Sequence, residues 1–303
     1  MFKYTVYMCV LFGALLFFVL SADFKGEKVS KKTTYAVDVK NTKDSKPEAV
    51  KAELMPHKAT YRLELVKDAY GDAIRSLSGS ISYELTKKCN DWHTVQKTNL
   101  TINYKNDTVF DMKSQESTTE SEDAKTYNFS LERKIKGLGS LKIEGSAVKN
   151  EDNGVYVNFS KPEKKSKLFP RGTIFPLEHT KRVIELASLG KDFFSYRVFS
   201  GWVDDKASKA EDGSTDVSAS VMPAKKDSGT NKLLANAGIV DETPFSVHMA
   251  SYLNNNTSGQ PDMEVDMLIF KNGVIKSIKL DYGVFAVLGT LEELEPAKIL
   301  LCD

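Results

Sequence analysis

Outside a hydrophobic N-terminal leader the chain keeps two cysteines, Cys89 and Cys302, which stand 213 residues apart, the second next to last. Paired, they would tie the C-terminus back to an early strand, so one folded body would have to span nearly the whole chain. In the polymer-entropy estimate, closing a loop of that size in the unfolded state is worth roughly 5 kcal/mol, an upper figure because strain and residual structure reduce it. The alternative is two unrelated buried thiols, since free cysteine behaves as a small hydrophobe.

The leader sets the redox context. Lys3 precedes an apolar run from Tyr4 to Leu20, followed by Ser21, Ala22 and the charged Asp23 and Lys25. This is the layout of a secretory signal peptide over residues 1–22, with Val19 and Ser21 in the −3 and −1 positions and cleavage after Ala22 also fitting. The run is at the short end of what spans a bilayer, so an uncleaved anchor is the alternative. Cleavage would remove Cys9, leave an even pair and limit membrane contact to the uncleaved precursor. Residues 23–53, rich in Lys, Ser, Thr and Asp without an apolar period, read as a flexible linker. A net charge of +1 in 303 residues, with Lys and Arg dispersed, gives no reason to expect a nucleic-acid partner.

From Leu54 to residue 303 the pattern reads as one domain of short strands. Ala59, Tyr61, Leu63 and Leu65 alternate with polar residues, as do Ile81, Tyr83 and Leu85, then Leu100, Ile102 and Tyr104. The rhythm returns at Tyr127–Leu131, Leu141–Ile143, Val155–Phe159, Phe194–Val198, Val217–Val221 and Phe245–Met249. Lys271-Asn272-Gly273 between two such runs predicts a hairpin turn. The class is mainly β: a sandwich, a barrel or an open curved sheet. Residues 176–189 break the pattern and predict a helix, with Pro176 at its first position, Glu178 in the first turn and Gly190 at its end. Its apolar face needs the concave side of a curved sheet. Lys161–Lys167 and Lys206–Asp216 read as solvated loops.

Several blocks resemble one family. Pro56-His57-Lys58-Ala59-Thr60-Tyr61 and the following Leu63 and Leu65 resemble the opening of the EipB-like family of cell-envelope integrity proteins, which are secreted to the Gram-negative periplasm. Gly79–Glu84 with Tyr83, followed by Cys89 and Trp92, resembles the next block, whose cysteine pairs with one near the C-terminus. Phe175-Pro176-Leu177-Glu178-His179 resembles the block that opens the family's helix. Lys58 stands where arginine is common. The resemblance implies a large antiparallel, open, spiral-like β-barrel wrapped around one helix, a Cys89–Cys302 disulfide, periplasmic localisation and a role in envelope integrity without enzyme activity. On family grounds the partner is a periplasmic protein, a repeat-helical one being reasonable. The competing expectation is a carrier whose open barrel holds lipid, an acyl chain or an apolar peptide.

The residues themselves supply no catalytic motif. His57, His93, His179 and His248 fall in no metal-type spacing, and no nucleophile elbow or phosphate loop is present, so no cofactor or metal is expected. His57 and His179 would either line a shared polar site or satisfy buried backbone groups where a strand and a helix begin, the second being favoured. Phe193, Phe194, Tyr196, Phe199 and Trp202 read as packing against the helix, with an acyl-binding groove as the sharper alternative. The glycosylation sequons at Asn99, Asn106, Asn128, Asn158, Asn255 and Asn256 read as products of an Asn-rich composition in a bacterial setting.

Overall fold

Alternation of apolar and polar residues builds long strands here, and a computed structural model shows how they join. It describes residues 6–7, 19–20, 52–68, 74–150, 154–201, 214–223, 232–253, 258–283, 285–300 and 302. The signal-peptide cleavage region, the linker up to residue 51, Trp202 and the sequons at Asn255 and Asn256 lie outside those residues. Within the leader, Val6–Tyr7 pairs with Val19–Leu20. The body forms one 15-stranded sheet.

In its first half the strands are β1 (His57–Asp68), β2 (Ile74–Lys88), β3 (Asp91–Tyr104), β4 (Val109–Ser121), β5 (Thr126–Ile135), β6 (Gly139–Asn150), β7 (Gly154–Lys161) and β8 (Lys165–Phe169). Helix α1 (Pro176–Ser188) follows. The second half contains β9 (Phe193–Phe199), β10 (Ser214–Pro223), helix α2 (Lys232–Asn236), β11 (Phe245–Leu253), β12 (Met263–Ile269), β13 (Ile275–Asp281), β14 (Phe285–Pro296) and β15 (Ile299–Leu300).

Apart from the short β15, which pairs with β2, the strands form two antiparallel meanders running outward from the non-sequential pairing of β1 with β14. The outer edges are therefore β8 and β9, and they do not pair with each other. At one end Ile174 bridges them: its N–H donates to the Arg197 carbonyl and its carbonyl accepts from Phe199 N–H, each at 2.9 Å. The result is an open barrel with a seam, its inner faces meeting α1.

The chain ends return to the middle of this sheet. Cys89 occupies the tight turn between β2 and β3 with φ of 55°, a left-handed conformation that residues other than glycine seldom adopt. It is held there by the Leu300 carbonyl, which accepts its N–H at 2.9 Å, by the parallel pairing of β15 with β2, and by the disulfide to Cys302, with the Cα atoms 5.2 Å apart. Packing of the N-terminal side begins at Ala52, which is buried and donates its N–H to Glu185 on α1. Leu54 then seats against Gly273 of the Asn-Gly turn; a Cβ there would lie 2.7 Å from the leucine side chain, and φ is +85°. Glycine at this turn thus serves both the backbone and the neighbour.

Three segments depart from the sequence reading. Lys165–Phe169, inside or beside a stretch expected to be a solvated loop, is the edge strand β8: Phe169 is buried, and Lys165 and Lys167 lay their ammonium groups over the rings of Phe159 and Phe169. Ser214–Asp216, from the second expected loop, opens β10. A second, five-residue helix, α2, accompanies α1 and buries Leu234. The aromatic group at 193–202 also divides: Phe199 is fully buried, Phe194 and Tyr196 are half-buried, and Phe193 is 67% exposed.

Candidate functional site

Helix α1 enters the barrel through Phe175, and its first turn is the centre around which the polar interior is arranged. Pro176 lacks the N–H that would be unsatisfied at the first helical position. The next two donors, Leu177 and Glu178 N–H, are accepted by the two oxygens of Glu120, reaching across from β4 at 3.0 and 2.8 Å. A carboxylate here also complements the positive end of the helix. Phe175 stacks on Tyr127 at 5.1 Å between ring centroids, in a cluster that includes Phe129, Phe159, Phe169 and Phe199. Phe129 fits between two glycines: a Cβ on Gly145 or Gly201 would come within 2.5 or 2.6 Å of its ring.

The family-like residues of the first strands gather elsewhere along the helix. His57 is buried, its Nδ1 2.7 Å from the Met55 carbonyl and its ring 5.6 Å from that of Tyr83. Burial lowers its pKa, with the Met55 contact opposing. Tyr61 donates its hydroxyl to the Ile275 carbonyl at 2.9 Å, linking β1 to β13. Burial raises the pKa of both Tyr61 and Tyr83. His57, Tyr61 and Tyr83, with Gln96, Leu177 and Thr180, line a cavity of about 30 Å³ beneath α1, enough for one or two water-sized groups.

His179 is not part of that cavity lining. It is fully buried on α1, meets Tyr196 edge-on at 6.3 Å, and neither of its ring nitrogens has a hydrogen-bond partner. The shared polar site of His57 and His179 is therefore not formed, and His179 satisfies no backbone group either. Burial, and secondarily the charge of Arg182, lowers its pKa to about 4, so the imidazole is neutral at physiological pH. Of the remaining histidines, His93 contacts Thr119 and His248 contacts Asp266 at the surface. Among the described residues no three His, Cys, Asp or Glu side chains converge as a metal site.

Sequence reasoning missed a polar wall. On β3 the inward residues include Thr94, Gln96 and Thr98; on β4 they are Ser114, Glu116, Thr118 and Glu120, all buried. Burial pushes Glu116 to about 8, and neither of its oxygens has a partner. Glu120 also rises to about 8 from burial, against the two helix N–H bonds it accepts. Outward-facing Lys113, Gln115, Ser117 and Thr119 are polar as well, so β4 carries no apolar alternation to reveal which face is inside.

Trp92 sits at the disulfide-bearing end. Its Nε1 donates to Glu122 at 2.5 Å, while Lys87 and Lys181 lie 5.0 and 5.3 Å from its ring centroid and pair with the same carboxylate. Burial opposes charge on Glu122, but hydrogen bonds from Lys87, Lys181 and Trp92 hold its pKa down to about 2. Through Lys181 this cluster fastens α1 to the β2–β3 hairpin. The family-like positions are thus anchors of the helix and strand starts, at separate places along α1, and no nucleophile–base pair lies among them.

Comparison with known proteins agrees with this architecture. A family model described as EipB-like matches residues 48–298. The cell envelope integrity protein EipB of Brucella abortus (strain 2308) is 25% identical over 247 residues, covering 80% of this chain and 84% of the relative. A crystal structure of a β-barrel-like protein with a domain of unknown function, also from Brucella abortus, superposes with a TM-score of 0.71 at 22% identity, covering 82% of this chain and all of that one. With the matched region taking in all of the sheet except β15, the helix and the Cys89 turn, the chain belongs to the EipB-like family.

Proposed function

We propose that this protein acts in the periplasm as a non-catalytic component of cell-envelope maintenance, holding a protein partner on its outside rather than carrying an acyl chain within. The name of the Brucella relative supports the envelope role, and the apolar leader with its small-residue end supports export. The observation favouring a partner over a cargo is the size of the cavity between α1 and the sheet, about 30 Å³, where ligand sites typically hold roughly 300–1,000 Å³. Side chains of the helix occupy the space a carrier would keep for lipid. The buried histidines, without a nucleophile or proton relay beside them, fit structural anchoring.

Mass spectrometry of lipids co-purifying with protein gently released from the periplasm tests this reading. The expected result is no stoichiometric lipid, together with detergent sensitivity of a strain lacking the protein. Reproducible one-to-one acyl lipid would replace the scaffold by the carrier, and a deletion strain with an unaltered envelope would remove the envelope role.

A further inference from the structure

We infer that the outer face of β5–β8 carries a binding site for a neutral saccharide, centred on a shallow depression in the sheet. The depression holds about 380 Å³, within the usual range for small-ligand sites, and a β-bulge makes it. Glu144 and Gly145 of β6 stand opposite Lys161 and Phe159 of β7, which leaves Ser160 as the extra residue and bends the ladder there. Gly145 lets the buried Phe129 ring close up beneath the floor, since a Cβ on it would lie 2.5 Å from that ring. Ser130, Ser146, Asn158 and Ser160 supply the polar lining.

Two rows of side chains cross this face from strand to strand. One is apolar: Val148, Tyr156 and Leu168 stand in direct register on β6, β7 and β8 and are 48%, 48% and 56% exposed. The other lies two residues along each strand and consists of Ser146, Asn158 and Ser166, with Asn128 of β5 extending it. Neighbouring strands are about 4.8 Å apart and residues two apart along a strand about 7 Å, so the rows run side by side. A sugar ring has C–H groups on its faces and hydroxyls around its edge. The C–H face suits the electron-rich face of the Tyr156 ring, while the hydroxyls suit the serines and the Asn158 amide. Ser166 Oγ donates to Asn158 Oδ1 at 2.7 Å, which fixes the amide and leaves both Nδ2 protons to give. A donor held in this way binds at a smaller entropic cost than a mobile one.

The charges around the depression are committed to other partners. Glu144 Oε1 accepts from Lys142 at 2.7 Å and Oε2 from Lys161 at 2.9 Å. Lys165 and Lys167 alternate with Ser166 and Leu168, and so project from the other face of β8, over the rings of Phe159 and Phe169. Recognition along the two rows therefore falls to neutral groups. A phosphate, a carboxylate or a basic peptide finds no counter-charge in either row, and a wholly apolar ligand would leave the polar row unpaired.

Titration calorimetry on the full mature chain with chitotetraose, cellotetraose and maltotetraose tests the site, with polygalacturonate as the charged control. We expect saturable one-site binding to at least one of the neutral oligosaccharides, unchanged by added salt. Tyr156→Ala and Asn158→Ala should each weaken it about tenfold, whereas Tyr156→Phe should retain it. Both positions are exposed, and an unchanged denaturation midpoint would show that the fold survives. No binding to any neutral oligosaccharide, binding to polygalacturonate alone, or binding that both alanine variants leave unchanged would overturn the site. These probes report neither lipid nor protein partners, so the saccharide site can fail while the scaffold stands, or the reverse.

Discussion

The two walls of the barrel solve the same packing problem with opposite materials. Along β11–β14 the inward positions are mostly apolar: Val247, Met249, Val265, Met267, Ile269, Ile278, Leu280 and Val287 are all buried, with Ser251 on β11 a buried polar exception. Along the middle of β3 and β4, between Trp92 at one end and Leu100, Ile102 and Met112 at the other, the interior is built from threonines, Gln96, Ser114 and two glutamates. The apolar wall gains its stability from burial, at about 25 cal/mol per Å² of apolar surface. Burial of the polar wall costs free energy wherever a group lacks a partner. Glu120 is repaid by two helix N–H bonds, which fix where α1 begins, whereas Glu116 has no such return. The contrast says that the polar wall positions the helix while the apolar wall holds the barrel together.

The largest expected effect comes from cutting the link between the halves. Cys302→Ser should lower stability by about 4 kcal/mol, between the loop-entropy figure and the losses common for native disulfides. Denaturant unfolding with and without reductant measures it. A midpoint in the wild type that reductant does not move would show that the clasp contributes nothing, and the walls would then be held by pairing alone.

Truncation should next separate the walls directly. Met249→Ala, at a fully buried position of the apolar wall, should cost about 3 kcal/mol through lost transfer energy and a residual cavity. Thr98→Ala in the polar wall should cost only about 1 kcal/mol, since its hydroxyl makes one long contact, 3.4 Å from Gln96 Nε2. Equal losses at the two sites, from the same denaturation experiment, would erase the distinction.

Removing the uncompensated carboxyl should stabilise. Glu116 binds its proton up to about pH 8 in the folded protein and up to its ordinary value of about 4.5 when unfolded. Between those values the native state binds more protons, so its contribution is fully present below pH 4.5 and is lost as pH rises through 8. Glu116→Met fills a similar volume without a charge and should add about 2 kcal/mol at pH 7. It should also flatten the fall in stability from pH 5 to 8. A variant with an unchanged slope over that window would mean that Glu116 has a partner in solution.

The walls also differed in how far they could be read from sequence. The apolar strands, the Asn-Gly turn and the Pro176 helix follow from periodicity and turn chemistry because one face of each is wet and the other dry. β4 was invisible to that logic: with Ser114, Glu116, Thr118 and Glu120 inside and Lys113, Gln115, Ser117 and Thr119 outside, both faces look solvated. β8 was hidden for a related reason, because its exposed Lys165 and Lys167 look like loop residues although each lies over an aromatic ring. The histidines were legible as positions but not as contacts. His57 and His179 both stand close to prolines in family-like blocks, yet one ends against Tyr83 and the other against Tyr196.

His179 should give the smallest effect at neutral pH and the one most specific to its environment. Its pKa of about 4 in the fold lies below the ordinary 6.5, so between those values the unfolded chain takes up a proton that the native imidazole refuses. Stability is therefore fully retained above pH 6.5 and is lost as pH falls toward 4. His179→Leu should change the midpoint at pH 7 by no more than about 1 kcal/mol, because a neutral ring with two unsatisfied nitrogens is replaced by an apolar side chain of similar reach. At pH 5 the variant should exceed the wild type by about 2 kcal/mol more, since the proton-linked loss has been removed. Denaturation at both pH values supplies the contrast, and growth of the variant strain on detergent supplies the functional control. A His179→Leu protein that is abundant and stable yet leaves the cells as sensitive as a deletion would give the imidazole a role beyond packing. It would also make the polar wall beside α1, rather than the outer surface, the place to look for activity.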